Sequence, residues 1–177
     1  NDRLAMLTPV ELRTRTMQGR YGTTLIDDSY SLDRSSLDSA LDLLRRTAHG
    51  RKQVVVLSDR AEAGADEANY HAHIAHALQR NGVHQLIAIG PRLLAHRAAF
   101  PPNTRFHADV DALLNTNEPA GHDGAVVLIK GARRFGLERV VERWQQHVHG
   151  TELVIDLEAI RHNLNHYRGL LNTAAPQ

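Results

Sequence analysis

Short apolar runs alternate with helical periodicity along this chain. Leu25 and Ile26, Val54 to Leu57, Leu86 to Ile89 and Val126 to Ile129 are rich in β-branched residues and bounded by polar or turn residues. This is the pattern of strands buried on both faces of a parallel sheet. Between them the apolar positions recur at three and four residues. Leu37, Ala40, Leu41, Leu44 and Ala48 form one stripe, Tyr70, Ile74, Ala77 and Leu78 a second that stops at Asn81-Gly82, and Leu137, Val140, Val141, Trp144 and Val148 a third. Each stripe predicts a helix with one face on the sheet, and Ser35 is the expected N-cap of the first, with Asp38 at its third position.

The remaining segments are shorter. Leu93 to Ala99 reads as a short helix ended by Pro101-Pro102, Arg105 to Ala108 as a short edge strand, and Val110 to Leu114 as a helical turn or two. Asn115 to Gly124, with Pro119, Gly121 and Gly124, reads as a loop. Right-handed crossovers then give an α/β fold: an open, mostly parallel, twisted, Rossmann-like sheet of about five strands with helices on both faces. His149-Gly150 breaks the pattern, so the first domain is expected to span residues 1–149. Thr151 to Ile155 predicts one more strand, and Leu157, Ile160, Leu164, Tyr167 and Leu171 one more helix. Residues 150–177 thus read as the first unit of a second, truncated domain.

Composition narrows the partners. With 21 basic against 20 acidic residues the net charge is +1, which gives no large electrostatic reason to seek nucleic acid or an anionic membrane. No apolar run approaches the roughly 20 residues needed to span a bilayer, and Asn1-Asp2-Arg3 lacks the apolar core of a signal peptide. The absence of cysteine excludes disulfides, thiolate metal sites and a cysteine nucleophile. A cytoplasmic protein is expected.

Chemistry concentrates where strands end. Asp27-Asp28-Ser29-Tyr30-Ser31 follows the first apolar run, Asp59 follows the second, and Lys130-Gly131-Ala132-Arg133 follows the last. In parallel sheets the carboxyl ends of the strands share one edge, so these carboxylates and cations are expected along a single rim, able to hold a phosphate, a ribose or an amino acid. Gly131 lets backbone N–H groups approach an anion closely, with Lys130 and Arg133 as charge partners. Neither G-x-x-x-x-G-K-[ST] nor G-x-G-x-x-G occurs after a strand, so the chain is not expected to cradle ATP phosphates by itself. Among the twelve histidines, His71, His73 and His76, and the pair His162 and His166, read as solvated helical faces, and no metal site is expected.

Four segments in order carry a resemblance: Pro9-Val10-Glu11-Leu12-Arg13, the Ile26-Asp27-Asp28-Ser29-Tyr30 block followed by Ser36, Leu57-Ser58-Asp59-Arg60-Ala61-Glu62-Ala63-Gly64, and Leu128-Ile129-Lys130-Gly131-Ala132-Arg133. Over residues 5 to 149 the chain resembles the carboxyl-terminal domain of the Mur peptide ligases, and most closely the branch that joins D-alanyl-D-alanine to UDP-N-acetylmuramoyl-tripeptide. The resemblance implies an ATP-driven amide ligase of peptidoglycan precursor synthesis. In such ligases this domain closes on an upstream ATPase domain that carries the phosphate loop and most contacts to ATP and Mg, helps seat the nucleotide, and receives the incoming amine. On this basis Arg13, Asp28 and Tyr30 are expected on the nucleotide side, and Ser31, Asp59, Lys130, Gly131 and Arg133 on the acceptor side. Two positions depart from the family: Ser31 stands where Asn is usual, and Ala132 where Lys-Gly-Ser-Arg is common.

The tail carries a second resemblance. Thr151-Glu152-Leu153-Val154-Ile155-Asp156-Leu157 and Ala159-Ile160-Arg161-His162-Asn163-Leu164 are similar to the opening strand and helix of pyridoxal-phosphate (PLP) alanine racemases. Together the two imply a fused bifunctional protein, with the racemase's PLP lysine beyond Gln177 and neither reaction complete on this segment. The reading from the residues alone is broader: a stand-alone small-molecule-binding α/β module using the Asp28, Asp59 and Lys130 crevice, or a structural pairing domain.

Overall fold

One sheet of six strands organises the computed structural model, which describes residues 14–30, 32–62, 66–146 and Arg161. The strands are β1 (Arg15–Gln18), β2 (Thr24–Asp28), β3 (Gln53–Ser58), β4 (Gln85–Ile89), β5 (Arg105–His107) and β6 (Val126–Lys130), in the spatial order β1-β2-β6-β3-β4-β5. β1 runs antiparallel to β2, and every other pairing is parallel. Inserting β6 between β2 and β3 reverses the strand order at the centre of the sheet. In open α/β sheets such a reversal opens a crevice at the carboxyl ends of the strands.

The helices are α1 (Arg34–Ala48), α2 (Glu67–Arg80), α3 (Pro91–Ala95), α4 (Val110–Leu114) and α5 (Glu138–Trp144). Alternation along the strands divides the core in two. Ile26, Val55, Leu57, Ala88 and Leu128 face Leu37, Leu41 and Leu44 of α1 and Tyr70, Ile74 and Leu78 of α2. Leu25, Val54, Val56, Ile87, Val127 and Ile129 face Leu113 of α4 and Val140, Val141 and Trp144 of α5. Covering both faces is what makes the central strands read as continuous apolar runs.

The α/β class, the parallel sheet and the amphipathic stripes match expectation, and the differences are local. β1 adds a sixth strand, unreadable because Arg15-Thr16-Met17-Gln18 is a mostly exposed edge whose pairing with β2 needs no apolar face. The N-cap of α1 is Asp33, not Ser35. Its carboxylate accepts from Ser36 N at 2.8 Å while its own N–H donates to Ser36 Oγ at 3.1 Å, closing a reciprocal capping box with Ser36 at N3. Asp38 therefore lies beyond the first three helical positions. α3 starts at Pro91, a residue pre-set for a helix's first position, and passes through a 3-10 turn at Arg97–Ala99. The Asn115 to Gly124 loop contains a 3-10 turn at Glu118–Gly121, and its Glu118 is buried.

The reading of the α2 histidines as a solvated face is corrected at His71, which is 2% exposed. α2 tilts that position inward, where the ring stacks on His96 with centroids 4.3 Å apart. The chain divides into two units after Gln146. Val148, His162, His166 and the expected racemase-like segment 150–177, apart from Arg161, lie outside the described residues.

Candidate functional site

Register builds the rim. Asp28 and Lys130 are Cα partners across β2 and β6, and Leu57 of β3 is level with Lys130 on the other side. The residues predicted from three separate motifs therefore meet at one edge, with Asp59 just past the end of β3.

The Lys130 ammonium donates to Asp28 Oδ2 at 2.7 Å, with a side-chain exposure of 0% for the lysine and 11% for the aspartate. A buried pair of this kind does little for net stability against an apolar replacement, but losing one partner strands the other charge. Past the pair, Asp27 Oδ1 accepts from Ser29 N at 3.1 Å and tightens the exit from β2. Ser29 is fully buried, and its hydroxyl has no hydrogen-bond partner among the described residues. Tyr30 next to it is 41% exposed. The turn closes on Asp33, whose carboxyl is held below the ordinary carboxylate range first by the Ser36 N–H, then by the Ser35 hydroxyl, with a smaller contribution from the Lys130 charge.

Asp59 was expected on the acceptor side, and its carboxylate has an internal task. Oδ2 accepts from Arg92 N at 2.9 Å and Oδ1 from Leu93 N at 2.8 Å, so Asp59 satisfies the first turn of α3 from a neighbouring strand. A side-chain web surrounds this cap. Arg92 Nη2 donates to Arg60 O at 2.9 Å, Arg60 pairs with Glu67, and the Arg60 guanidinium lies 4.2 Å from the centre of the Tyr70 ring. Beneath it His71 donates from Nδ1 to Glu67 O at 2.7 Å, a bond that sets its tautomer, and burial holds its pKa down.

Gly131 joins β6 to the exposed Arg133 across a tight contact. A Cβ there would overlap Ser58 Oγ and Leu137 Cδ1 and lie 2.8 Å from Ser58 Cβ, so only glycine fits. Ser58 Oγ in turn accepts from Ala132 N at 2.9 Å and donates to Asp59 O at 2.8 Å. That hydroxyl is the joint between the β3 and β6 ends. Of the predicted site residues, the structure brings Asp28 and Lys130 into contact, links Asp59 to Gly131 through Ser58, and leaves Tyr30 and Arg133 facing solvent on the rim. Arg13 and Ser31 lie outside the described residues.

Sequence reasoning missed the roles of Ser58, Asp33 and Gly90. Gly90-Pro91 directly after an apolar run was a readable signal for a strand-to-helix turn. Ser58 had no such signal, since its role depends on β6, which lies 68 residues further on in sequence yet next to β3 in space. Among the described residues no group of three or more histidine or carboxylate side chains is placed to hold a metal ion, and no helix is long and apolar enough to cross a membrane.

A mostly parallel, reversed-order sheet covered by helices on both faces, with ionisable groups gathered at the strands' carboxyl ends, defines a domain of the α/β class. The chain belongs to the Mur ligase family: residues 12–133 match its Mur ligase, glutamate ligase domain. It is similar to the UDP-N-acetylmuramoyl-tripeptide--D-alanyl-D-alanine ligase of Escherichia coli strain K12, with 29% identity over 145 residues, covering 81% of this chain and 31% of that protein. The protein of the same name from Mycobacterium leprae is 30% identical over 136 residues, covering 66% of this chain and 26% of its own length. The chain thus spans less than a third of either relative. Among solved structures it is similar in fold to the MurF ligase of Thermotoga maritima in complex with ADP (TM-score 0.61, 21% identity, 79% of this chain and 32% of that one). It is likewise similar to MurF of Acinetobacter baumannii (TM-score 0.62, 20% identity, 73% of this chain and 29% of that one).

Proposed function

We propose that this chain is the acceptor-binding and nucleotide-closing domain of an ATP-dependent amide ligase that adds D-alanyl-D-alanine to UDP-N-acetylmuramoyl-tripeptide. The observation that carries the reading is the Asp28–Lys130 pair, held at the centre of the rim in a chain that aligns over 81% of its length with a ligase named for those substrates. In the reaction ATP transfers its γ-phosphoryl group to the tripeptide carboxylate, releasing ADP. The dipeptide amine then attacks the acyl carbon, the C–N bond forms as the C–O bond to phosphate breaks, inorganic phosphate leaves with that electron pair, and the nitrogen gives up its proton.

Arg13, Asp28 and Tyr30 serve the nucleotide side, where a carboxylate accepts hydrogen bonds from ribose hydroxyls and a cation meets phosphate oxygens. Ser31, Gly131 and Arg133 serve the acceptor, with the guanidinium matched to the dipeptide carboxylate. Asp59 sets their frame through α3. In this reading the metal and most triphosphate contacts fall to an upstream central domain on which this one packs, and this segment does not ligate by itself. Residues 150–177 open an alanine racemase domain whose PLP-binding lysine lies further along, and the whole protein works in the cytoplasm.

The test is made on the protein expressed from the complete reading frame. Phosphate release from ATP that needs both the tripeptide precursor and D-alanyl-D-alanine, with a product heavier by the dipeptide, is the expected result; release that is indifferent to the dipeptide would remove the reading. Interconversion of L- and D-alanine by the same preparation, dependent on added PLP, checks the second activity.

A further inference from the structure

We infer that Lys130 is a positioning residue for the nucleotide side of the site, acting through Asp28 and the β2–α1 turn, and that it does not touch the acceptor; the inference rests on the ligase reading above. A lysine that captures an anionic substrate must present its ammonium to solvent before the substrate arrives. Lys130 is 0% exposed, and its Nζ is bonded to a carboxylate on the adjacent strand at 2.7 Å. Residues on both sides of it are clamped: Ile129 is fully buried in the core, and Gly131 is pressed against Ser58 and Leu137. Turning the ammonium outward would break this ion pair and leave the Asp28 carboxylate, itself mostly buried, without its cation.

Asp28, by contrast, keeps 11% of its side chain exposed, so of the two partners it is the one a ligand can reach. The lysine's field also reaches Asp33 at the start of α1. The buried cation therefore holds Asp28 at the point where β2 enters the turn that carries Tyr30, and its removal should disorder that turn rather than empty a dipeptide subsite.

The test compares wild type, Asp28→Asn, Lys130→Met and the double variant, all in the full-length protein, by steady-state kinetics with ATP and D-alanyl-D-alanine varied separately, and by thermal unfolding. Asp28→Asn and Lys130→Met are each expected to raise the KM for ATP about tenfold while the dipeptide KM stays within about twofold, and the double variant to be no worse than the poorer single one, the non-additivity of residues acting as a unit. Lys130→Met is expected to unfold at a lower temperature than wild type, and Asp28→Asn/Lys130→Met to recover most of that loss, because the second change removes the stranded charge. A Lys130→Met protein with a raised dipeptide KM and an unchanged ATP KM overturns the inference. So does a double variant that melts no higher than Lys130→Met, a comparison that still decides if Lys130→Met alone proves too unstable for kinetics. Should the wild type ligate nothing, the functional reading fails separately, and ADP titrations of the four proteins decide the inference: equal weakening by the two single changes supports it, and no weakening by Lys130→Met overturns it.

Discussion

The Asp59 carboxylate packs against the bare Cα of Gly90, so closely that a Cβ built on Gly90 would lie 2.5 Å from Asp59 Cγ and from Asp59 Oδ2. Gly90 has φ +126° and ψ 157°, a region of backbone space that is essentially closed to other residues. Two independent demands meet at this glycine: the turn out of β4, and the approach of Asp59 to the first N–H groups of α3. Gly90→Ala is expected to destabilise the fold by about 1–3 kcal/mol from the backbone alone, with displacement of Asp59 in addition. Because that displacement also uncaps α3, Asp59→Ala and Gly90→Ala combined should cost less than their sum. Denaturant titration of the two single variants and the double measures this; full additivity would mean the two residues act separately.

The rim's second joint makes a different prediction. Ser58→Ala leaves the buried Ala132 N–H without its acceptor and is expected to cost about 1–3 kcal/mol. Gly131→Ala should cost more, since its methyl meets both Ser58 and Leu137. Adding Ser58→Ala to Gly131→Ala removes one of those clashes and leaves the Leu137 contact and the Ser58 Cβ contact in place. The double variant should therefore stay well below wild type in a urea titration, and a full recovery would show that the serine hydroxyl was the whole obstacle.

How much was legible depends on whether an element is defined by its own residues or by its neighbours'. The stripe Leu37, Ala40, Leu41, Leu44 and Ala48 is self-contained, and all five positions are buried. The runs around Val55, Ile87 and Val127 declare themselves in the same way, because both faces of each strand are covered. β1 does not, since an exposed edge strand carries no periodic apolar signal. At the site, placing Asp28, Asp59 and Lys130 on one rim followed from strand ends alone. Their separate tasks did not follow, because each is set by a partner distant in sequence: Asp28 by Lys130, and Asp59 by Gly90 and the start of α3. His71 was misread because a histidine that bonds its own helix's carbonyl at i−4 can enter a core, which spacing does not reveal.

The start of α1 offers a direct check on which residue caps it. Asp33→Ala removes the acceptor for Ser36 N and breaks the capping box, with an expected loss of about 1 kcal/mol. Ser35→Ala removes only an exposed hydroxyl bonded to the Asp33 carboxylate at 2.7 Å and should fall within about 0.5 kcal/mol of wild type. Thermal unfolding of the two variants side by side distinguishes them, and equal losses would contradict the observed cap.

Acid should weaken this fold before its carboxylates titrate. His71, His107 and His122 all have pKa values below the ordinary histidine value, chiefly because burial disfavours the imidazolium. His107 and His122 flank the buried Glu118 carboxylate, with Nε2 at 3.8 Å from Oε1 and 3.3 Å from Oε2 respectively. Glu118 already accepts from Arg105 Nη1 at 2.5 Å, and the nearby Arg105 and Lys52 charges further oppose protonation of His122. A folded-state pKa lying below the unfolded one means that the unfolded chain binds more protons as pH drops through the histidine range. The stability held by keeping these rings neutral is therefore fully present above the unfolded value near 6.5 and is lost progressively as pH falls toward the folded values. Urea midpoints should decline between about pH 7 and pH 5, ahead of the carboxylate transition, and His122→Gln should flatten that decline even if it lowers stability at pH 7.5. A midpoint constant across this range in wild type would show that the three rings protonate as readily in the folded protein as in the unfolded chain.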